Sequence, residues 1–176
     1  MHQIFFGIIE FLVSVLISFV LIFGSYRLFL AVTRKFDEEK QFKRKNLSVG
    51  IVLGGAILGE ALIVKQAIFP VMSVIQIYVL GQEKNLGNFL EVLGLSIGYV
   101  LLSGFLALLG ILFSFWLFNK MTPGIDQYEE IQDNNTAVAV FMAVVIIATC
   151  LLISSGVEGL TRALIPFPEV GTIPLR

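Results

Sequence analysis

Four stretches of this chain are long and apolar enough to cross a lipid bilayer: Ile4 to Leu30, Leu47 to Val64, Phe89 to Phe118 and Thr136 to Ile153. A spanning helix needs about 20 mostly apolar residues, and it satisfies every backbone N–H and C=O internally. The rest of the composition points the same way. Of 176 residues, 57% are hydrophobic and only 14% charged, with a mean hydropathy of +0.91, which leaves little material for a water-soluble catalytic domain. The expected fold class is therefore an all-α integral membrane protein with four transmembrane helices, and the bilayer is its first partner. A net charge of −1 makes no case for nucleic acid. Met1 to Gly24 has no basic residue ahead of its apolar run and no small-x-small cleavage pattern after it, so it is expected to remain as a helix.

The four stretches form two pairs. Thr33-Arg34-Lys35-Phe36-Asp37 aligns with Thr122-Pro123-Gly124-Ile125-Asp126, and Asn46-Leu47-Ser48-Val49-Gly50-Ile51 with Asn135-Thr136-Ala137-Val138-Ala139-Val140, all at one offset of 89 residues. This register divides the chain into a two-helix unit over residues 1–88 and a second over 89–176 with a C-terminal tail. Two helices per unit return the chain to its starting side, so the units are expected to be parallel and related by a pseudo-twofold axis along the membrane normal.

Charge sets the expected orientation. Arg34, Lys35, Lys40, Lys43, Arg44 and Lys45, half of the twelve basic residues, fall between the first two spans, which places the Arg34–Lys45 loop in the cytoplasm and both termini outside. The second inner loop is acidic, with Asp126, Glu129, Glu130 and Asp133, and such residues have little influence on topology. Each inner loop ends in an asparagine. Asn46 and Asn135, the latter followed by Thr136, are read as caps on the helices that follow, offering a side-chain oxygen to an unpaired backbone N–H.

Small residues recur beyond these caps: Gly50 and Gly54, Gly55 and Gly59, then Ala139 and Ala143, with Gly94 and Gly98 in the third span. Spacing of four lets helix backbones approach closely in lipid, where no hydrophobic effect drives association. Packing within the bundle and a subunit interface use the same chemistry, and the former is the first reading. Pro70 is expected to kink or end the second span, leaving apolar Ala67 to Leu80 either as a bent continuation or as an interfacial segment. The proline-rich tail Ile165 to Arg176 reads as an external extension.

Ionisable residues in apolar surroundings are the candidates for chemistry. Glu60 lies about 21 Å from the Asn46 cap at about 1.5 Å per residue, inside the hydrocarbon, and a carboxylate there needs a cation, a wet cavity or a proton. Lys65 is five residues on and does not share its face well, so pairing with Glu10 or Glu91 is equally open. Glu158 and Arg162, four apart, read as a local ion pair of small energetic weight. Arg27 is expected to snorkel. His2, the only histidine, sits at the amino terminus, so histidine-based metal sites and Ser-His or Cys-His catalysis lack a base. Cys150 is alone and has no disulfide partner within the chain. No catalytic residue, metal or cofactor is expected.

The run Lys120-Met121-Thr122-Pro123-Gly124-Ile125-Asp126-Gln127-Tyr128-Glu129-Glu130-Ile131, followed by Asn134-Asn135-Thr136-Ala137, resembles the bacterial inner-membrane family catalogued as domain of unknown function 350. The resemblance implies an integral membrane protein of tandem two-helix repeats, with an Asn and small residues opening the second helix of each unit. It transfers no catalytic residue. The first unit departs from the motif, with Arg34-Lys35 where Pro123-Gly124 stands. The function expected is a non-enzymatic subunit or scaffold of the inner membrane, assembled with itself or with partner proteins. The alternative is a small ion channel or proton-coupled transporter using Glu60, Lys65, Glu10 and Glu91.

Overall fold

The computed structural model describes residues 2–32, 38–80 and 85–163. Every element among them is helical: α1 (His2–Val32), α2 (Glu38–Lys43), α3 (Leu47–Val64), a 3-10 turn (Lys65–Ala67), α4 (Ile68–Leu80), α5 (Leu86–Met121), α6 (Gln127–Gln132) and α7 (Thr136–Ala163). Four runs are long and apolar enough to span a membrane: Gly7–Gly24, Leu47–Val79, Leu86–Met121 and Thr136–Thr161. The first-unit match Thr33 to Asp37, residues 81–84, and the tail from Ile165 to Arg176 lie outside the described residues.

The second run is longer than its sequence boundary, because Pro70 bends it without ending it. Proline lacks an N–H and its ring crowds the carbonyl four residues back, here Gln66. The chain tightens to 3-10 geometry over Lys65–Ala67, so that Pro70 falls in the first turn of α4, where no intrahelical donor is required. Pro70 is fully buried, and Val71 and Val74 of α4 pack with Tyr99 of α5 and the half-buried Val13 of α1. Ala67 to Leu80 is thus a bent continuation of the span.

Asn85 caps α5, its side-chain oxygen accepting from the Asn88 N–H at 2.7 Å. Helix α5 therefore begins at Leu86, three residues ahead of the Phe89 at which the third apolar stretch was expected to start. α7 likewise continues ten residues past Ile153.

The most extensive contact joins α3 and α7, the two helices that follow the inner loops; α5 packs on both, and α1 lies against α3 and α4. The core runs along this α3–α5–α7 seam, with Val49, Val52, Ile63, Ala107, Phe118, Ala139, Met142, Ile146 and Cys150 all under 2% exposed. Most outward side chains are apolar, among them Phe11, Leu16, Phe19, Leu101, Phe105 and Leu152, each more than half exposed, as a lipid solvent requires.

Candidate functional site

Two features concentrate the polar chemistry: the junction of the inner loops, and a carboxyl inside the seam.

At the junction, α2 ends with Lys45 in the left-handed conformation (φ 58°), and the Lys45 and Asn46 N–H groups bond back to the carbonyls of Phe42 (2.9 Å) and Gln41 (3.0 Å). This is a Schellman closure, which occupies carbonyls that a helix end leaves unpaired. At the same offset of 89 residues, Asn134 has φ 61°, and the Asn134 and Asn135 N–H groups bond to Ile131 (3.2 Å) and Glu130 (2.9 Å). Side chains follow the backbone. The Asn46 amide donates to Gln41 Oε1 (3.1 Å) and the Asn135 amide to Glu130 Oε2 (2.6 Å).

Both asparagines cap. Asn46 Oδ1 accepts from Val49 N at 3.2 Å, and Asn135 Oδ1 from Ala137 N and Val138 N at 3.2 and 3.3 Å. Thr136 is the first residue of α7 and is exposed; the cap bonds come from its neighbour.

Further bonds cross between the loops. The Asn46 amide, 5% exposed, also donates to the carbonyls of Ile131 (2.9 Å) and Gln132 (3.0 Å). Asn134 Oδ1 in turn accepts from the Ser48 N–H (3.1 Å) and hydroxyl (3.3 Å). The first-turn donors of α3 are thus shared: Val49 N–H goes to its own cap and Ser48 N–H to the opposite loop. Lys45, at the position matching Asn134, has no acceptor to offer α7, and Asn135 serves two α7 donors itself. Sequence reasoning missed the role of Asn134; the doubled Asn134-Asn135 is its signal. Gln127 was also missed. It is 1% exposed, and neither polar atom of its amide has a partner of hydrogen-bonding geometry among the described residues. The neighbouring Tyr128 phenol is raised above its usual 10 by burial; the Gln127 side chain opposes that shift and the Asp126 charge adds to it.

The small residues divide into two sets. A Cβ built on Gly55 would lie 2.7 Å from Ala143 Cβ and 2.9 Å from its Cα, so here two backbones touch. One on Gly59 would meet Cys150 Sγ at 2.9 Å and Ile146 at 3.1 Å. Ala139 and Ala143 are buried in the same seam. By contrast Gly54, Gly94 and Gly98 have nothing within 4 Å of such an atom, and Gly50 has only Phe42 at 3.9 Å. Among the described residues the expected close approach is not made at Gly50, Gly54, Gly94 or Gly98. Stripes offset by one residue lie about 100° apart around a helix, and only the Gly55/Gly59 stripe faces α7.

Glu60, next to Gly59, is 5% exposed, and its Oε2 has no hydrogen-bond partner among the described residues. Two of the charged residues proposed alongside it, Lys65 and Glu91, are exposed. Lys65 is exposed on the 3-10 turn, because five residues carry a helix well past one full turn. Glu91 is exposed near the start of α5, and the Glu10 side chain lies outside the described residues. The actual neighbours come from other helices. Cys150 of α7 is close enough to feel the Glu60 charge, and Ser114 of α5 is within hydrogen-bonding reach of the Cys150 thiol while donating to Gly110 O at 2.7 Å. Glu158 is half-buried, and the Arg162 side chain lies outside the described residues. Arg27 lies over the Phe23 ring, 5.4 Å from its centroid.

An apolar groove of about 660 Å³ lies between α1, α4 and α5, lined by Ile17, Val71, Tyr78, Phe89, Ser96 and Val100 among others.

The family model described as Domain of Unknown Function (DUF350) matches residues 3–157, from the start of α1 to within the last turns of α7. The chain belongs to the DUF350 family. Neither the curated proteins nor the solved structures contain a significant match. The matched region of this DUF350 chain takes in the loop junction and the Glu60 seam, so both belong to the family's domain rather than to an appendage.

Proposed function

We propose that the protein is a non-enzymatic subunit or scaffold of the bacterial inner membrane, working as a homo-oligomer or with a membrane-complex partner through its inner loops. In this reading the chain is two tandem parallel units, 1–88 and 89–176, with the Arg34–Lys45 loop in the cytoplasm and both termini outside. The shared offset of the two Schellman closures and their asparagine caps supports the repeat. Orientation rests on the basic bias of the first loop.

The observation that carries the proposal is the latch between the loops. Asn46 and Asn134 hold α2 and α6 against the same end of the α3–α7 seam, so that basic Lys40, Lys43, Arg44 and Lys45 and acidic Asp126, Glu129 and Asp133 form one bipolar face, all exposed. A face with both signs held in fixed relation fits a protein partner, or a second copy, of complementary charge pattern. The packed seam argues against the transport alternative. Phe118, Met142, Ile146 and Val49 are all under 2% exposed and close the bundle between the loops and Glu60.

Purified protein in liposomes under proton and monovalent-cation gradients tests this reading. The expected result is no flux above that of protein-free vesicles. Robust flux that Glu60→Gln abolishes, with assembly size unchanged, would replace the scaffold by a conducting protein.

A further inference from the structure

We infer that Glu60 is a proton-binding site, exchanging with the side of the bilayer on which α4 and α5 meet. It goes beyond the scaffold reading and does not depend on it. Three helices contribute to the site: Glu60 on α3, Cys150 on α7 within range of its charge, and Ser114 on α5 within reach of the Cys150 thiol, about one turn and a half beyond the Gly55–Ala143 contact. A carboxyl 5% exposed, with an oxygen that has no hydrogen-bond partner among the described residues, is incomplete until something neutralises it.

The surroundings select the proton over a metal ion. Divalent cations take about six or more oxygen ligands, and alkali cations are held by comparable oxygen cages. Here Ser114 offers one hydroxyl oxygen, Cys150 a soft sulfur, and the seam around Gly59 and Gly110 is otherwise the apolar Ile63, Ile146 and Ile153. A proton needs only the carboxyl itself.

Among the described side chains of the packed elements no opposite charge faces Glu60; those of Glu10 on α1 and Arg162 on α7 lie outside the described residues. On α7, Cys150 faces it and Glu158 lies two turns further out; on α5, Tyr99 lies four turns from Ser114, with Glu91 and Lys120 towards the two ends; Arg27 of α1 and Lys65 of the 3-10 turn are exposed.

Among the described residues, buried polar groups lie beyond the site on the side away from the loops. Along one face of α5 come Ser103, 0% exposed with an unpartnered hydroxyl, then Tyr99, then Ser96, whose unpartnered hydroxyl lies in the wall of the apolar groove. Towards the loops the path is closed by Ile146, Met142 and Phe118, each 0% exposed. Such a site equilibrates with one side and does not conduct.

Infrared difference spectroscopy of the protein in lipid nanodiscs, titrated from acid to alkaline, tests the inference. The wild type should show a carboxylic-acid C=O band that disappears reversibly on alkalinisation. Glu60→Gln, with the same assembly size, should lack that band, and Glu60→Asp should retain a titrating band at a shifted position. After a pH jump, Ser103→Val should slow the loss of the band several-fold. Spectra identical in wild type and Glu60→Gln, or a Glu60-dependent band that never titrates, would overturn the proton site. Equal rates in wild type and Ser103→Val would overturn the route.

Discussion

Replacing Gly55 by leucine is expected to destabilise the bundle by about 3 kcal/mol or more, because the new side chain has no room to occupy. Its first atom alone would sit 2.7 Å from Ala143 Cβ and 2.9 Å from Ala143 Cα. A flexible neighbour could swing aside, but a helix backbone cannot, so α3 and α7 must separate along the contact that carries most of the core. Even alanine at position 55 is expected to be clearly destabilising. Gly54→Leu is the control. A Cβ there meets nothing within 4 Å, and losing a helix-interior glycine is worth up to about 1 kcal/mol of stability, so this variant should be neutral or slightly stabilised. Thermal unfolding in detergent, read with assembly size, separates the two. Equal effects at positions 54 and 55 would mean that the α3–α7 contact is not as described.

The second large effect is expected at Asn46. Alanine removes the α3 cap, worth about 1 kcal/mol, together with the amide's two bonds across the loops to the carbonyls of Ile131 and Gln132, roughly 0.5–1.5 kcal/mol each. The total should be roughly 2–4 kcal/mol. Asn135→Ala should cost about 1 kcal/mol, because Asn135 is only half-buried and its bonds stay within its own loop and helix. Chemical unfolding of the two variants, compared with wild type, checks the ranking. Equal losses would remove the case for a link across the loops.

How much of this was legible beforehand depended on whether a residue's role was local. The four spans, the asparagine caps and the offset of 89 residues are properties of neighbouring residues, and periodicity and capping chemistry expose them. Pro70 announced a bend, but whether the chain left the membrane there depended on Val71 and Val74 finding Tyr99, a contact between helices. The glycines show the same boundary. Gly50/Gly54 and Gly55/Gly59 are indistinguishable by spacing, and only the placement of α7 selects the second pair. Glu60 could be flagged as costly from its depth, and Lys65 doubted from its spacing, yet Ser114 and Cys150 are 54 and 90 residues away and carry no sequence mark of their proximity. Asn134 reads as an ordinary turn residue until α3 is seen to begin beside it.

The central claim, that the two inner loops behave as one unit, is tested most directly by amide hydrogen exchange on Asn134→Ala in lipid nanodiscs. Asn134 Oδ1 is the acceptor for the Ser48 N–H, 86 residues away in sequence. The account predicts faster exchange at the first turn of α3 in this variant, as well as at the α6–α7 junction where the substitution lies. Acceleration confined to the α6–α7 junction, with the start of α3 exchanging as in the wild type, would contradict it.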